Sequence, residues 1–235
     1  GTLDTFNGKV QVFDADRSVI CDVLTGMRIH CGDWISVESG NALIRQIQSG
    51  AKVTFTAGTF AQVVNAGSTS TSVREHLILY RGGVYAKQAS REEFRIATPQ
   101  SRVTFSASEG YVLAQDTHGE TQLLVVDGRA RIQNRFIEHA PVIVGEGKFS
   151  KVGSMKNRNV PLDPRFGEPA MMQDRLSQFG VAPAKIAALV SAARKSARPT
   201  LPAKLRAAFD RRIASVSQGK ADAELKADQA GGSGE

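Results

Sequence analysis

Residues 94 to 134 read FRIATPQSRVTFSASEGYVLAQDTHGETQLLVVDGRARIQN. Apolar residues alternate with polar ones, and a glycine or short polar turn returns at near-regular steps. A period of two puts every second side chain on one face of an extended chain, so the segment predicts consecutive half-buried strands. It does not read as a helix or as the surroundings of an active site. Whatever the chain does, it does on a β framework.

The same texture extends over residues 1–152, predicted as one β domain. Runs at Val10–Phe13, Ser18–Leu24, Trp34–Val37, Ala42–Ile47, Val53–Phe55 and Phe60–Val64 lead into it. A turn at His30–Asp33 precedes the third of these. Leu77–Tyr80, Val84–Ala86, Phe94–Ile96, Val103–Phe105, Tyr111–Ala114, Gln122–Val126, Ala130–Gln133 and Pro141–Val144 complete it. Many short antiparallel strands with glycine turns give a mainly β fold, a sandwich, barrel or solenoid; strand propensity does not choose among them.

Composition changes after that. Residues 153–182 form a proline-bearing connector in which Arg165, Phe166, Met171 and Met172 pack along the β domain, with a short helix over Gln173–Phe179 ended by Gly180. Residues 183–217 predict a basic helical hairpin. Pro183 suits a first turn, Ile186, Leu189, Val190 and Ala193 recur at helical spacing, and Pro199 and Pro202 punctuate the pair. Lys185, Arg194, Lys195, Arg198, Lys204, Arg206, Arg211 and Arg212 decorate it. They form either a docking face for a partner or a solvated outer face, the second being the stronger reading. Residues 218–235 are small and polar and predict a disordered tail.

The 235 residues carry a net charge of +7, which suits an acidic polymer or anionic surface. Aromatics make up only 6%, which argues against stacking on single-stranded nucleic acid, and no nucleic-acid partner is expected. No run reaches the roughly 20 apolar residues needed to cross a bilayer as a helix. Gly1 in place of an initiator Met implies a removed leader, either a signal peptide or introduced sequence.

Motifs that carry chemistry are missing. There is no GxxxxGK[ST] loop and no GxSxG elbow, so no enzyme is expected and no catalytic residue is named. His30, His76, His118 and His139 lie in separate segments without metal spacing, and neither metal nor cofactor is expected. Glu92 and Glu93 sit among Arg91 and Arg95, which reads as surface pairing. Cys21 and Cys31 are either a disulfide formed in an oxidising compartment or two buried thiols; their spacing favours the pair. Trp34 is either a partner anchor or a plug of the core, with the core reading stronger.

Several fragments, in order, resemble the FecR domain family. They are Leu24–Ile29, Gly32-Asp33-Trp34-Ile35, Ser39–Ile44, the Gln48-Ser49-Gly50-Ala51 turn, Leu77–Val84, Phe94–Pro99, Ala107–Tyr111 and Thr121–Ile132. Phe94-Arg95-Ile96-Ala97-Thr98-Pro99 is the most specific. The resemblance covers about Val10 to Val144. It implies a periplasmic or cell-surface β domain, solenoid-like or sandwich-like, that binds proteins and has no catalytic residues. The family's best-known members are transmembrane anti-sigma regulators. The sequence departs from them in having no helical sigma-binding region before the β domain and no membrane helix.

The expected function is therefore a non-enzymatic periplasmic scaffold, exported by a cleaved signal peptide. It would serve as an assembly subunit of an envelope machine such as a flagellar motor or secretion-system ring, with envelope proteins or further copies of itself as partners. A FecR-type signal relay and a peptidoglycan-binding or anionic-lipid-binding module are the alternatives.

Overall fold

In the computed structural model, which describes residues 1–19, 23–46, 50–64, 75–115, 119–153 and 160–196, the alternation becomes 15 strands of one curled sheet. The chain lays down β1 (Thr2–Asn7), β2 (Val10–Phe13), β3 (Trp34–Val37), β4 (Asn41–Arg45), β5 (Lys52–Thr56), β6 (Thr59–Val63) and the long β7 (Leu77–Gln88). Next come β8 (Phe94–Ala97), β9 (Ser101–Phe105), β10 (Ser108–Gln115), β11 (Glu120–Asp127) and β12 (Arg129–Asn134). β13 (Val142–Gly145), β14 (Lys148–Val152), β15 (Arg165–Phe166), α1 (Pro169–Ser177) and α2 (Pro183–Ser196) finish it.

The sheet folds into two layers. Layer I runs β1-β4-β5-β7-β10-β11-β14-β15. Layer II runs β2-β3-β6-β7-β8-β9-β12-β13. Every pairing is antiparallel except β7 with β8. The chain makes a hairpin in one layer, crosses, and makes the next hairpin in the other. One such crossing is the turn at Gly128, where φ is +74° and a Cβ would stand 2.7 Å from the Ala107 carbonyl oxygen. Only glycine fits there.

β7 belongs to both layers. Its first half pairs with β6 and β8 in layer II, its second half with β5 and β10 in layer I. Leu77 and Leu79 point into the core before the change, and Val84 and Ala86 after it. The inward register therefore moves from odd to even positions, and Gly82-Gly83 absorb the shift. Gly82 has φ +85°, with the Thr59 Cα 2.4 Å from where a Cβ would be. The buried Thr59 hydroxyl bonds both ends of the next residue, accepting from the Gly83 N–H at 3.2 Å and donating to its carbonyl at 2.9 Å.

One apolar core fills the space between the layers, including Leu3, Ile35, Phe55, Leu79, Phe94, Phe105, Leu123 and Ile132. A second covers the outer face of layer I. There Tyr85, Tyr111, Leu124 and Val126 meet Met172 and Leu176 of α1 and Ile186, Leu189, Val190 and Ala193 of α2. Phe179 stacks over Tyr85 at 5.4 Å between ring centroids and packs tilted against Tyr111 at 5.1 Å. β11 is consequently apolar on both faces, Leu123 and Val125 inward, Leu124 and Val126 outward.

The mainly β fold with helices at its C-terminal side is as expected, and Phe166 and Met172 pack on the β domain as read. Several details differ. Ser18–Leu24 is not a strand among its described residues. The Asp14 carboxylate takes the Ser18 N–H at 2.8 Å, Arg17 turns with φ 65°, and only an isolated bridge from Phe13 to Val19 remains. Leu77–Tyr80 and Val84–Ala86 are one strand, because the glycines between them bend without breaking it. β1, β14 and β15 were not expected; in β1 only Leu3 is fully buried, too little to show a period. α1 starts at Pro169 rather than Gln173, since proline fits a first turn. The described helical pair is α1 with α2, and the predicted second helix of the 183–217 hairpin lies outside the described residues, as does the 218–235 tail. Residues Gly1–Arg194 form one compact unit. No helix among the described residues is long and apolar enough to cross a membrane.

Candidate functional site

Helices cover the outer face of layer I. The outer face of layer II carries no such cover among the described residues, and its side chains follow from register. Core residues take every second position, leaving Phe13 on β2, Trp34 and Ser36 on β3, Phe60 and Gln62 on β6, and Ile78 and Tyr80 on β7. Arg95 and Ala97 on β8, Arg102 and Thr104 on β9, and Arg131 and Gln133 on β12 continue the face.

The first half is aromatic. Trp34 stacks with Phe60 and with Tyr80, 5.2 Å between centroids in each case. Arg17 reaches across from the 14–18 turn, its guanidinium carbon 4.5 Å from the indole centroid. A cation over an indole is a favourable contact of about 0.5–2 kcal/mol. Trp34 is 6% exposed, Phe60 half-buried and Tyr80 36% exposed. The Trp34 Nε1 is buried and has no hydrogen-bond partner among the described residues.

The Gly32-Asp33-Trp34 piece explains how Trp34 is placed. Gly32 turns with φ 97°, its N–H reaches the Val63 carbonyl at 2.8 Å, and the buried Asp33 carboxylate accepts the His30 N–H at 2.7 Å. The turn is locked from both ends before β3 begins.

The second half is cationic. Strand pairing sets Arg95 beside Thr104 and Thr104 beside Arg131, and sets Arg102 beside Gln133. Glu93 bridges Arg95 and Arg131. Burial pushes the Glu93 carboxyl up, but hydrogen bonds and charge from the two arginines outweigh it and hold it below the ordinary range. Arg102 pairs with Glu75 at 2.7 Å through Nε. His76 lies alongside, its Nδ1 accepting the Arg95 N–H at 3.2 Å and its ring 5.2 Å from Phe94. Burial first, then the Arg95 charge, hold the His76 imidazole below its ordinary value.

The expected site residues scatter. Trp34 is in the aromatic half, at once a nearly buried plug and part of the outer face. Lys185 is committed to the β domain, donating to Asp127 at 2.9 Å and Glu146 at 2.8 Å, and those bonds raise its pKa. Arg194 is exposed on α2 and lines a hollow of about 660 Å³ between α1 and α2, with Ile186 and Val190 among its apolar walls. Lys195 is exposed at the end of α2. Arg198, Lys204, Arg206, Arg211 and Arg212 lie outside the described residues. Cys31 is exposed in the turn before β3, and Cys21 lies outside the described residues. No group of three or more His, Cys, Asp or Glu side chains able to hold a metal occurs among the described residues.

Sequence reasoning passed over Arg17, Phe60, Tyr80, Arg102 and Arg131, and read Arg95 only as a surface-pairing partner of Glu92 and Glu93, a pairing that Arg95 makes with Glu93. Each strand's outward positions were readable from its period. That three arginines from β8, β9 and β12 share one patch depends on strand order, which no local pattern encodes.

No family model matches the chain, and no curated protein matches it. Among solved structures it is similar to two crystal structures of a candidate anti-sigma factor from Parabacteroides distasonis. Identities are 16% and 17%, with a TM-score of 0.46 in both. The aligned parts cover 60% and 59% of this chain and 63% and 62% of those chains, less than two thirds of their length.

Proposed function

We propose that this chain is a non-enzymatic, FecR-like protein-binding scaffold of the bacterial cell envelope, working outside the cytoplasm as an assembly subunit. The observation that carries the reading is the contrast between the two outer faces. Layer I hides its tyrosines and leucines under α1 and α2, whereas layer II presents Phe60 and Tyr80, backed by the nearly buried Trp34, next to Arg95, Arg102 and Arg131 on rigid strands. Trp, Tyr and Arg are the side chains that most often dominate the energy of protein interfaces, and a rigid β surface loses little entropy on docking. A site built for chemistry would instead gather a nucleophile, a base and a water-excluding cleft.

The test is capture from bacterial envelope extracts by the immobilised chain, against a Phe60→Ser/Tyr80→Ser variant whose circular dichroism matches the parent. Loss of a captured protein with that variant, and its retention by an Arg194→Ala chain altered on the helical side, supports the reading. Equal capture by all three would overturn it.

A further inference from the structure

The three arginines of layer II do more than decorate a surface. Arg95, Arg102 and Arg131, with Thr104, Gln133 and Pro141, wall a hollow of about 210 Å³. That is below the roughly 300 Å³ at which pockets begin to hold drug-sized molecules, so it takes one small group. Its lining is rich in donors. Arg102 spends Nε and one Nη on Glu75, which leaves its other Nη free of that pair, and Arg131 spends Nη2 on Glu93. The Thr104 hydroxyl and the Gln133 amide complete a polar wall on β9 and β12.

Charge sets the kind of group. Three guanidinium charges face two carboxylates, Glu75 and Glu93, so one positive charge is left over. His76, behind Arg95, adds none at neutral pH because its proton is held weakly. A monoanion balances the hollow, and a dianion would overshoot. Guanidinium forks match the planar two-oxygen geometry of a carboxylate.

We infer that this hollow binds a single carboxylate, supplied by an acidic side chain of the protein that docks on layer II. The inference rests on the proposed function for the source of the carboxylate, not for its chemistry. The neighbouring strand fixes what comes next to it. Ile78 on β7 pairs beside Ala97 on β8, and Ala97 beside Arg102 on β9. Tyr80, the nearest ring of the aromatic half, stands two residues beyond Ile78 on β7, so two strand spacings across and two residues along, roughly 12 Å, separate it from Arg102. The partner segment carries an acidic residue at about that distance from an apolar or aromatic one.

The experiment is a titration of the ¹⁵N-labelled full chain with sodium acetate, with sodium phosphate and with sodium chloride at matched ionic strength. Acetate is expected to shift the amides of Arg102, Thr104 and Gln133 saturably, at a midpoint on the order of 10 mM. Arg131→Gln should weaken this about tenfold, and Arg131→Lys, which keeps the charge but not the fork, should recover part of it. Matching melting temperatures would separate loss of the site from loss of fold. Shifts no larger than those with chloride, or unchanged in Arg131→Gln, would overturn the site. Phosphate binding tighter than acetate would overturn the monoanion assignment. A hexapeptide bearing one Glu and one Phe should bind more tightly than free acetate, and its Glu→Gln version should lose that gain; no difference between the two removes the peptide source. If acetate binds but envelope capture ignores Phe60 and Tyr80, the hollow stands and the scaffold reading falls. If capture depends on those rings but acetate does not bind, the reverse holds.

Discussion

Thr98, in the FRIATP stretch, shows how much one hydroxyl can hold. Its side chain is fully buried, as are those of Ser101 and Thr121. The Thr98 Oγ1 accepts the Ser101 N–H at 2.9 Å and lies 2.6 Å from the Thr121 Oγ1, tying the β8–β9 turn in layer II to β11 in layer I. Thr98→Val keeps the shape and strands both partners. The expected loss is about 1–3 kcal/mol in urea unfolding, with Thr98→Ser recovering most of it. The threonine of this motif is thus a structural tie between layers. His76 gives the second prediction at this scale. Unfolded, it takes up a proton near pH 6.5; folded, burial and Arg95 push that uptake lower. The stability it supplies is complete above the unfolded value and is lost as pH falls through the folded one. The urea midpoint should drop from about pH 7.5 to about pH 5.5, and His76→Gln should shrink the drop. An unchanged drop in the variant would remove His76 as the cause.

At the scale of elements, β7 is the piece on which the others are hung. Its bend depends on Gly82, where alanine must accept a left-handed backbone costing about 1–2 kcal/mol and a clash with the Thr59 backbone besides. Gly82→Ala should destabilise the protein by about 3 kcal/mol or more in chemical unfolding. Ala57→Gly on the exposed neighbouring turn serves as the control and should stay within about 1 kcal/mol. The elements were legible where one face was dry and the other wet. FRIA, SRVTF and RARIQN alternate because, Ala97 apart, their outward residues are Arg, Thr and Gln. β11 was found as an apolar run, yet its second dry face pointed to a cover that only the helices explain. Ser18–Leu24 misled because Val19 and Leu24, apolar residues in a stretch that reads as a strand, are 53% and 65% exposed.

For the whole molecule, the two layers share a strand and one core, so they should not unfold separately. Trp34, the chain's single tryptophan, reports on layer II; Tyr85 and Tyr111 report on layer I. In a Tyr80→Phe chain, which removes the one tyrosine of layer II, urea transitions followed by tryptophan fluorescence and by near-ultraviolet tyrosine dichroism should coincide. Two separated transitions would show that the layers are independent. At this scale, fold class was readable from period and turns, whereas the candidate surface was not. Its aromatic half joins residues from the 14–18 turn, β3, β6 and β7, and its cationic half joins β8, β9 and β12. These are neighbours only once the chain has crossed between layers several times.

The bent strand also has a mechanical meaning. A pull applied at the aromatic and arginine side of the molecule, and resisted at the helix-covered side, need not pass through the oily contact between the layers. It can run along the covalent backbone of β7, flanked on both sides by rows of hydrogen bonds that would have to slide together. Two sheets joined only by grease shear at low force. Two sheets sewn with one thread behave as a single stiff plate.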